Sequence, residues 1–289
     1  MNARHPVPAP DRYVVLGNPV AHSRSPFIHH RFAEQTGQKL VYDRLLCAMD
    51  GFEAAVRRFA AEGGRGCNVT LPFKFEVPAL AMQCTPRATL AAAANVLRID
   101  EGCWLADNTD GAGLVHDIEQ GASVALRGQT VLLIGAGGAA AGVLGPILQR
   151  QPAAVVVANR SVERAQALVT RHGPWAVQHG ARLGACGLAE AQEHGAFAVV
   201  INASASSLQG AASPVAAAVL GKGSLAVDLM YGDAAAPWLR WAQSHGAVAR
   251  DGLGMLVEQA AEAFELWRGV RPDTVAVLQA LRQAMVAGH

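Results

Sequence analysis

Short apolar runs alternate with amphipathic segments along the first third of the chain. The runs at 13–17, 40–46 and 66–72 have the length and apolar content that predict β-strands. Between them, residues 25–37 and 51–64 repeat apolar side chains every three or four positions, which predicts helices. Strands that alternate with helices in this way favour an α/β layer in which most strands pair in parallel.

Local end signals refine this pattern. The first predicted helix has Ser25 as its cap, Pro26 at its first position and Gly37 at its stop. A hairpin is predicted at 95–107, with its turn at 100–102.

A second unit begins after the segment "DNTDGAGLVHDIEQG", which ends at residue 121. Its predicted strands are 130–135, 154–160, 196–204 and 224–231. Helical segments such as 161–173 separate them, and near-continuous apolar strands are typical of a parallel sheet covered on both faces. Two further helical stretches, 253–269 and 272–287, close the chain without a strand of their own.

The length of the chain suits two hydrophobic cores. It has 289 residues, of which 51% are apolar, whereas one core is comfortably built from about 150 residues. We therefore predict a chain of two α/β domains, the second with a parallel sheet.

Charge and composition exclude several classes of function. The formal net charge is +1, without a long run of either sign, so nothing points to nucleic acid or an anionic membrane. No apolar stretch reaches the ~18 residues of a membrane span. Residues 1–12 are polar and proline-rich without the apolar core of a signal peptide, and we expect them to form a loose tail.

Cysteine and histidine usage indicates the compartment. The five cysteines are scattered without C-x-x-C spacing, and the ten histidines show no metal-ligand spacing. This pattern argues against a disulfide framework or a zinc site and favours the reducing cytoplasm. We expect a cytoplasmic protein with a small-molecule substrate and no metal, membrane or nucleic-acid partner, as a monomer or a homodimer.

The segment "VLLIGAGGAAAGVL" is the most specific local signal. Its Gly135-x-Gly137-x-x-Ala140 motif follows a predicted strand and opens a helix, as the dinucleotide fingerprint requires. Gly135 allows a tight turn, Gly137 lets backbone amides approach a pyrophosphate, and Ala140 lets helix and sheet pack closely. The alternative is a glycine turn that binds no ligand.

The end of the next strand discriminates between cofactors. An NAD enzyme usually has an acidic residue there, whereas this chain has Asn159, Arg160 and Ser161, with Arg164 one turn later. Two guanidinium groups and a hydroxyl suit a 2′-phosphate, and we expect no carboxylate there to repel it. NADP is therefore the predicted cofactor. The alternative is two solvated arginines on a surface helix.

Lys74 is a charged residue in the apolar run "NVTLPFKFEV". Apolar surroundings lower the pKa of a lysine, which suits it to proton transfer with a carbinol. Asp110, in "DNTDG", is the best partner by residue type, although a carboxylate raises that pKa again. The alternatives are a lysine with only its stem buried, and an aspartate that forms a turn or caps a helix.

Hydroxyl and amide side chains stand at several further positions that suit a neutral polyol, namely Ser23, Ser25, Asn68, Thr70, Asn95 and Gln259. The two serines follow the first strand, at the sheet edge where α/β proteins hold ligands. Ser25 alone is better explained as a helix cap.

Seven motifs occur in order along residues 13–285: "GNPVAHSRSP", "NVTLPFK", "DNTDG", "GAGGAA", "NRS", "DLMYG" and "DGLGMLVEQAA". Together they resemble the shikimate dehydrogenase family. The resemblance implies reversible NADP-dependent reduction of 3-dehydroshikimate to shikimate, a step in aromatic amino acid (chorismate) biosynthesis. It also implies an α/β substrate domain, residues 1–109 and 252–289, and a Rossmann-type NADP-binding domain, residues 110–251.

The resemblance further implies the residues of the site. Lys74 matches the family's catalytic lysine and Asp110 its partner aspartate. The positions that match substrate-binding residues are Ser23, Ser25, Asn68, Thr70, Asn95, Tyr231 and Gln259. The positions that match NADP(H)-binding residues are Gly135, Ala136, Gly137, Gly138, Ala139, Asn159, Arg160, Ser161, Arg164, Leu229, Gly252 and Met255.

The chain departs from the family pattern at a few positions, namely Pro86, Ala92, Val96, Ala140, Ala141 and Ser207. Two other functions compete with the leading one. One is a paralogue that acts on quinate or an aminoshikimate-like acid. The other, which these departures favour, is a catalytically silent NADPH-binding protein.

Overall fold

Two six-stranded sheets carry the fold in the computed structural model, which describes residues 9–206, 210 and 213–287. Most of the expected N-terminal tail and Ser207 lie outside the described residues. The mixed α/β architecture predicted from the sequence is confirmed.

The first sheet combines parallel and antiparallel pairs. Its strands are β1 (Asp11–Gly17), β2 (Leu40–Leu46), β3 (Gly64–Val69), β4 (Gln83–Cys84), β5 (Val96–Asp100) and β6 (Cys103–Asp107). The spatial order is β2-β1-β3-β5-β6-β4, and β5 and β6 form the predicted hairpin. The third strand ends at Val69, not at 72, so Thr70 stands just beyond the sheet.

Four helices belong to this part of the chain: α1 (Ser25–Thr36), α2 (Phe52–Ala61), α3 (Val77–Leu80) and α4 (Pro86–Ala91). Gly37 ends α1 in the left-handed conformation, with φ +66°, as predicted. The prediction of Ser25 as the cap is wrong, because Arg24 holds the cap position and Ser25 is already helical. The backbone N–H of Ser25 instead donates to the Ser23 hydroxyl at 3.3 Å.

The second sheet is entirely parallel. Its strands are β7 (Thr130–Ile134), β8 (Ala154–Ala158), β9 (Arg182–Cys186), β10 (Phe197–Asn202), β11 (Leu220–Asp228) and β12 (Val248–Arg250). The order β12-β11-β10-β7-β8-β9 places the topological switch point between β7 and β10, where ligands bind in folds of this kind.

Helices cover both faces of the second sheet. They are α6 (Gly138–Gln149), α7 (Val162–Gln178) and α8 (Ala236–Ser244), and α7 runs five residues beyond the predicted end at 173. Along β7, Val131 and Leu133 enter one core, while Leu132 and Ile134 enter another that contains Trp238. This alternation explains why the strand reads as continuously apolar.

Three helices link the two sheets: α5 (Asp110–His116), α9 (Leu253–Arg268) and α10 (Thr274–Val286). Helix α5 lies between α6 and α9, and glycines make the close approach possible. A Cβ on Gly111 would lie 2.4 Å from Pro146 Cγ, and one on Gly113 would lie 2.6 Å from the backbone nitrogen of Gln259. Helices α9 and α10 share a core with α1. No helix in the described ranges is long and apolar enough to cross a membrane.

Candidate active site

Lys74 and Asp110 meet although they are far apart in the sequence. Lys74 Nζ lies 2.5 Å from Asp110 Oδ2, and the side chains are only 12% and 6% exposed. Lys74 occupies a 3₁₀ turn at Phe73–Phe75, and Asp110 is the first residue of α5. Both charged groups are therefore largely withdrawn from water and paired with each other.

Packing of neighbouring side chains fixes the turn that carries Lys74. Phe73 is fully buried and stacks on Phe52 with ring centroids 5.1 Å apart. The backbone carbonyl of Lys74 accepts a 2.9 Å hydrogen bond from the N–H of Ala94. The buried Phe73 thus anchors the backbone of the turn, while the amine of Lys74 points to Asp110.

The Asp110 carboxylate is held from its other side as well. Asn95 Nδ2 donates to Oδ1 of Asp110 at 2.8 Å, and the backbone N–H of Asp110 donates to Asn108 Oδ1 at 3.2 Å. Asn108 in turn donates to the carbonyl of Ala93 at 2.9 Å. Asp110 is thus oriented by three groups, Lys74 among them.

Asn95 is the centre of a buried polar network. Its Nδ2 also lies 3.0 Å from Thr109 Oγ1 and 3.1 Å from Gln259 Oε1. Its Oδ1 accepts the backbone N–H of Thr109 at 2.8 Å. Sequence reasoning did not select Thr109, although a hydroxyl next to Asp110 in "DNTDG" was a usable signal.

Asn68 lies beside this network. Tyr42 donates its hydroxyl hydrogen to Asn68 Oδ1 at 2.7 Å, and Asn68 Nδ2 lies 3.4 Å from the Asn95 carbonyl. Thr70 sits against Gly17, where a Cβ would meet its methyl group at 2.4 Å.

Tyr42 and His29 form a buried layer behind Asn68 that sequence reasoning missed. Their rings stack with centroids 4.2 Å apart. Burial raises the pKa of Tyr42 well above its usual value and lowers the pKa of His29 to about 3. Both rings are therefore neutral at physiological pH, and Tyr42 keeps the proton that it donates to Asn68.

The serine loop is also ordered. Ser23 Oγ donates to Ser25 Oγ at 3.2 Å, and Arg44 donates to the carbonyl of Ser23 at 3.0 and 2.6 Å through Nε and Nη2. Tyr231 packs against the core of α1 and α9, and burial raises its pKa.

The glycine loop lies at the switch point and touches the turn that carries Lys74. Gly135 has φ +109°, and a Cβ there would lie 3.1 Å from the Ala203 backbone. Gly137 caps α6, and a Cβ added to it would meet no atom within 4 Å. A Cβ on Gly138, by contrast, would lie 3.2 Å from Lys74 Cβ. A pyrophosphate therefore has room over Gly137, next to the N-terminus of a 12-residue helix. Ala136 and Ala139, also in this loop, are partly buried.

The end of β8 differs from expectation in one respect. Arg160 and Arg164 are exposed, and neither guanidinium has a hydrogen-bond or ion-pair partner in the described part of the chain. Asn159 Nδ2 donates to the Ser161 carbonyl at 2.9 Å. However, Ser161 Oγ donates to Glu163 Oε2 at 2.8 Å. The expectation that no carboxylate stands here is wrong, because α7 begins at Val162 and places Glu163 in its first turn.

Three of the residues predicted to bind NADP(H) gather beyond the end of β11. The N–H of Gly252 donates to the Met230 carbonyl at 2.9 Å, and a Cβ on Gly252 would lie 2.3 Å from the Leu229 carbonyl. Met255 follows on α9 and is buried. The structure thus brings Leu229, Gly252 and Met255 to one place.

The departures from the family pattern have local explanations. Ala92 ends α4 with φ +48°, a left-handed conformation that glycine adopts more easily. Pro86 stands in the first turn of α4, where its missing N–H costs nothing, and Thr85 caps that helix. Val96, Ala140 and Ala141 are buried in the cores.

A glycine loop at the switch point of a parallel sheet, in contact with a buried amine–carboxylate pair, defines the class of dinucleotide-dependent oxidoreductases. Three family models match the chain. The model of the shikimate dehydrogenase substrate binding domain matches residues 15–97. The model of shikimate / quinate 5-dehydrogenase matches residues 117–209, and that of the shikimate 5′-dehydrogenase C-terminal domain matches residues 252–282.

Known proteins resemble the chain over its whole length. A shikimate dehydrogenase (NADP(+)) of Methylibium petroleiphilum is 58% identical, with 100% of this chain and 99% of the relative covered. The crystal structure of an Ael1 enzyme from Pseudomonas putida is 46% identical, covers 94% and 98% of the two chains and has a TM-score of 0.85. Shikimate 5-dehydrogenase from Thermus thermophilus, in complex with NADP(H) and shikimate, is 30% identical, covers 95% and 99%, and has a TM-score of 0.81. The chain belongs to the shikimate dehydrogenase family.

Proposed function

We propose that the chain catalyses the reversible NADP-dependent reduction of 3-dehydroshikimate to shikimate, with Lys74 and Asp110 handling the proton. The observation that carries this proposal is the 2.5 Å contact between Lys74 Nζ and Asp110 Oδ2 beside the glycine loop. Membership of the family supports the substrate and the cofactor.

The residues present fit the cofactor. Gly137 leaves open space where a side chain would exclude a pyrophosphate, and the left-handed Gly135 makes the turn below it. The unpaired guanidinium groups of Arg160 and Arg164 suit the 2′-phosphate. Leu229, Gly252 and Met255 are assigned to the nicotinamide face. When bound, NADPH supplies a hydride to the carbonyl carbon.

Lys74 moves the proton in this proposal. During reduction its ammonium group donates a proton to the carbonyl oxygen, and in the reverse direction its amine takes the proton from the carbinol. Asp110 orients the amine through Oδ2, while Asn95 holds Oδ1. Since both side chains are largely buried, water does not compete strongly for the substrate oxygen.

The polar groups around the pair are assigned to the substrate. Ser23 and Ser25 hold its carboxylate through their hydroxyl groups. The side chains assigned to the ring hydroxyls are Asn68, Thr70, Asn95, Tyr231 and Gln259. We assign residues 1–109 and 252–289 to the substrate domain and 110–251 to the cofactor domain, so that hydride passes in the cleft between them.

Substitution of Lys74 tests the chemical role. We expect Lys74→Ala to lower kcat by about 10²–10⁴-fold, with the KM for shikimate within a few-fold of the native value. The matched control is Lys39→Ala, an exposed lysine outside the site, which should keep native kinetics. Near-native turnover of the Lys74 variant would refute the assignment.

Quinate is the competing substrate, since one matching family model covers both shikimate and quinate dehydrogenases. Initial rates with each acid and with NADP or NAD separate the possibilities. We expect the highest kcat/KM for shikimate with NADP. A higher value for quinate would favour the paralogue, and NADPH binding without turnover on either acid would favour the silent binding protein.

A further inference from the structure

Glu163 lies where the proposed clamp would receive the 2′-phosphate. Its Oε2 accepts the hydroxyl hydrogen of Ser161 at 2.8 Å. The backbone N–H of Glu163 itself and this hydroxyl lower the pKa of Glu163, so the carboxylate is charged at neutral pH. The single hydrogen of Ser161 Oγ is thereby already committed to an anion.

The two arginines of the clamp do not neutralise this carboxylate. Arg160 and Arg164 flank Glu163 in the sequence, yet neither pairs with it or with any other carboxylate in the described ranges. The segment 160–164 therefore carries two unpaired cations and one carboxylate. A phosphate that binds there gains from the cations and is opposed by the carboxylate.

We propose that Glu163 is a specificity-determining residue that limits the preference of this enzyme for NADP over NAD. This inference rests on the proposed clamp of Asn159, Arg160, Ser161 and Arg164. A 2′-phosphate carries a charge of about −1.5 to −2 and must take the Ser161 hydroxyl from Glu163. A ribose 2′-hydroxyl carries no charge and can donate to the same carboxylate. The Glu163 carboxylate therefore weakens the binding of NADP but not that of NAD.

The test is the ratio of kcat/KM for NADP to kcat/KM for NAD in Glu163→Gln, which keeps the shape of the side chain. We expect the ratio to rise about three- to tenfold, through a lower KM for NADP, with the NAD value unchanged or lower. The rise should shrink in 1 M salt, because exposed charges are screened.

The matched control is Glu53→Gln, an exposed acid in the first turn of α2 and away from the site. It removes the same kind of helix-terminal charge and should leave the ratio unchanged. Arg160→Gln and Arg164→Gln test the clamp separately, and each should lower the ratio by about tenfold.

The outcomes are distinguishable. If the arginine variants lower the ratio but Glu163→Gln leaves it unchanged or lower, the role of Glu163 is refuted and the clamp stands. If the arginine variants also leave the ratio unchanged, these residues do not bind the 2′-phosphate, and the inference about Glu163 is refuted as well. A higher ratio in Glu163→Gln, together with lower ratios in the arginine variants, supports both.

Discussion

Asn95 holds the Asp110 carboxylate on the side away from Lys74: Asn95 Nδ2 lies 2.8 Å from Oδ1, whereas Lys74 Nζ lies 2.5 Å from Oδ2. Each carboxylate oxygen thus has its own donor, and Asn95 is buried. Asn95 therefore acts on Asp110 directly, in addition to any contact that it makes with the substrate.

Replacement of Asn95 should affect turnover. In Asn95→Ala the Oδ1 atom loses a hydrogen bond to a charged acceptor, which is worth about 1.5–3 kcal/mol. We expect kcat for shikimate oxidation to fall roughly 10- to 100-fold in steady-state assays. Gln259→Ala is the comparison, because Gln259 bonds to Asn95 but is not bonded to Asp110. It should raise KM more than it lowers kcat, and equal kcat losses in both variants would contradict this division.

Lys74 and Asp110 should behave as one unit. In the proposed mechanism the amine transfers the proton and the carboxylate orients the amine, so removal of either group should disable the same step. We expect the double variant Lys74→Ala/Asp110→Asn to lose no more kcat than Lys74→Ala alone, within about threefold. The measurement is a double-mutant cycle at saturating substrates, with circular dichroism to confirm folding. Multiplicative losses would show that the two groups act independently.

Much of the fold could be predicted from the sequence because buried parallel strands are continuously apolar. Strand β7 is an example, with core residues on both faces. Strands β9 and β12 were not predicted, since Arg182–Cys186 and Val248–Arg250 lie at sheet edges and carry arginines and small residues. Their pairing partners, which come from distant segments, make them strands.

The candidate site was predictable only in part for a similar reason. Lys74 and Asp110 stood out by residue type and surroundings. Tyr42 reads as an ordinary strand residue, and its contact with Asn68 depends on how β1, β2 and β3 pair. From the sequence Glu163 is a typical acid at the start of a helix, and only the structure shows that it accepts a hydrogen bond from Ser161, a residue of the proposed clamp.

Gly137 and Gly142 should separate cofactor binding from folding. A methyl group at Gly137 meets nothing within 4 Å, so Gly137→Ala should fold normally. It should raise the KM for NADP about tenfold or more, because the methyl group would fill the space proposed for the pyrophosphate. At Gly142 a Cβ would lie 2.7 Å from Asn108 Oδ1, so Gly142→Ala should cost about 1–3 kcal/mol of stability. Thermal unfolding and NADP titration measure the two effects.

The control for both glycine variants is Gly184→Ala. Gly184 lies in β9, and a methyl group there also meets nothing within 4 Å. This variant should keep both native stability, within about 0.5 kcal/mol, and native KM for NADP. A native KM for NADP in Gly137→Ala would show that the glycine loop does not bind the cofactor.

Ala92 should be a site of stabilisation. Its φ of +48° lies in the left-handed region, which costs a residue with a Cβ about 1–2 kcal/mol. Ala92→Gly relieves this strain but gains backbone entropy in the unfolded chain, so we expect a net stabilisation of about 0.5–1 kcal/mol. Ala88→Gly, in the middle of α4, should instead destabilise by about 1 kcal/mol. Urea unfolding of both variants checks the opposite signs.

Arg87, which is half-buried, pairs with the buried Asp107, and this pair should contribute to acid stability. Arg87 Nε and Nη2 lie 2.7 and 2.6 Å from the two oxygens of Asp107, which stands at the end of β6, three residues before Asp110. Burial by itself raises the pKa of Asp107. The hydrogen bonds and charge of Arg87, with further hydrogen bonds from Thr85 and the Asn108 backbone, outweigh burial and hold the pKa below the usual 3.8.

The sign of the pH effect follows from this lowered pKa. Above pH 3.8 the Asp107 carboxylate is ionised in both the unfolded and the native state, and the pair contributes its full stability. As the pH falls below 3.8, Asp107 takes up a proton in the unfolded state first, so that this contribution to stability is lost. Arg87→Met leaves the Asp107 carboxylate buried without its cation, and it also removes the 3.0 Å contact between Arg87 Nη1 and Glu262 Oε2. We expect a loss of about 3 kcal/mol at pH 7 and a shallower decline of the free energy of unfolding towards pH 3. Arg98→Met breaks an exposed arginine–aspartate pair and should lower the free energy of unfolding by under about 1 kcal/mol. The decline of this free energy between pH 7 and pH 3 should stay as steep as in the native protein. Urea unfolding between pH 7 and pH 3 measures the free energy of unfolding of both variants. If it declines as steeply in Arg87→Met as in the native protein, this pair does not determine acid stability.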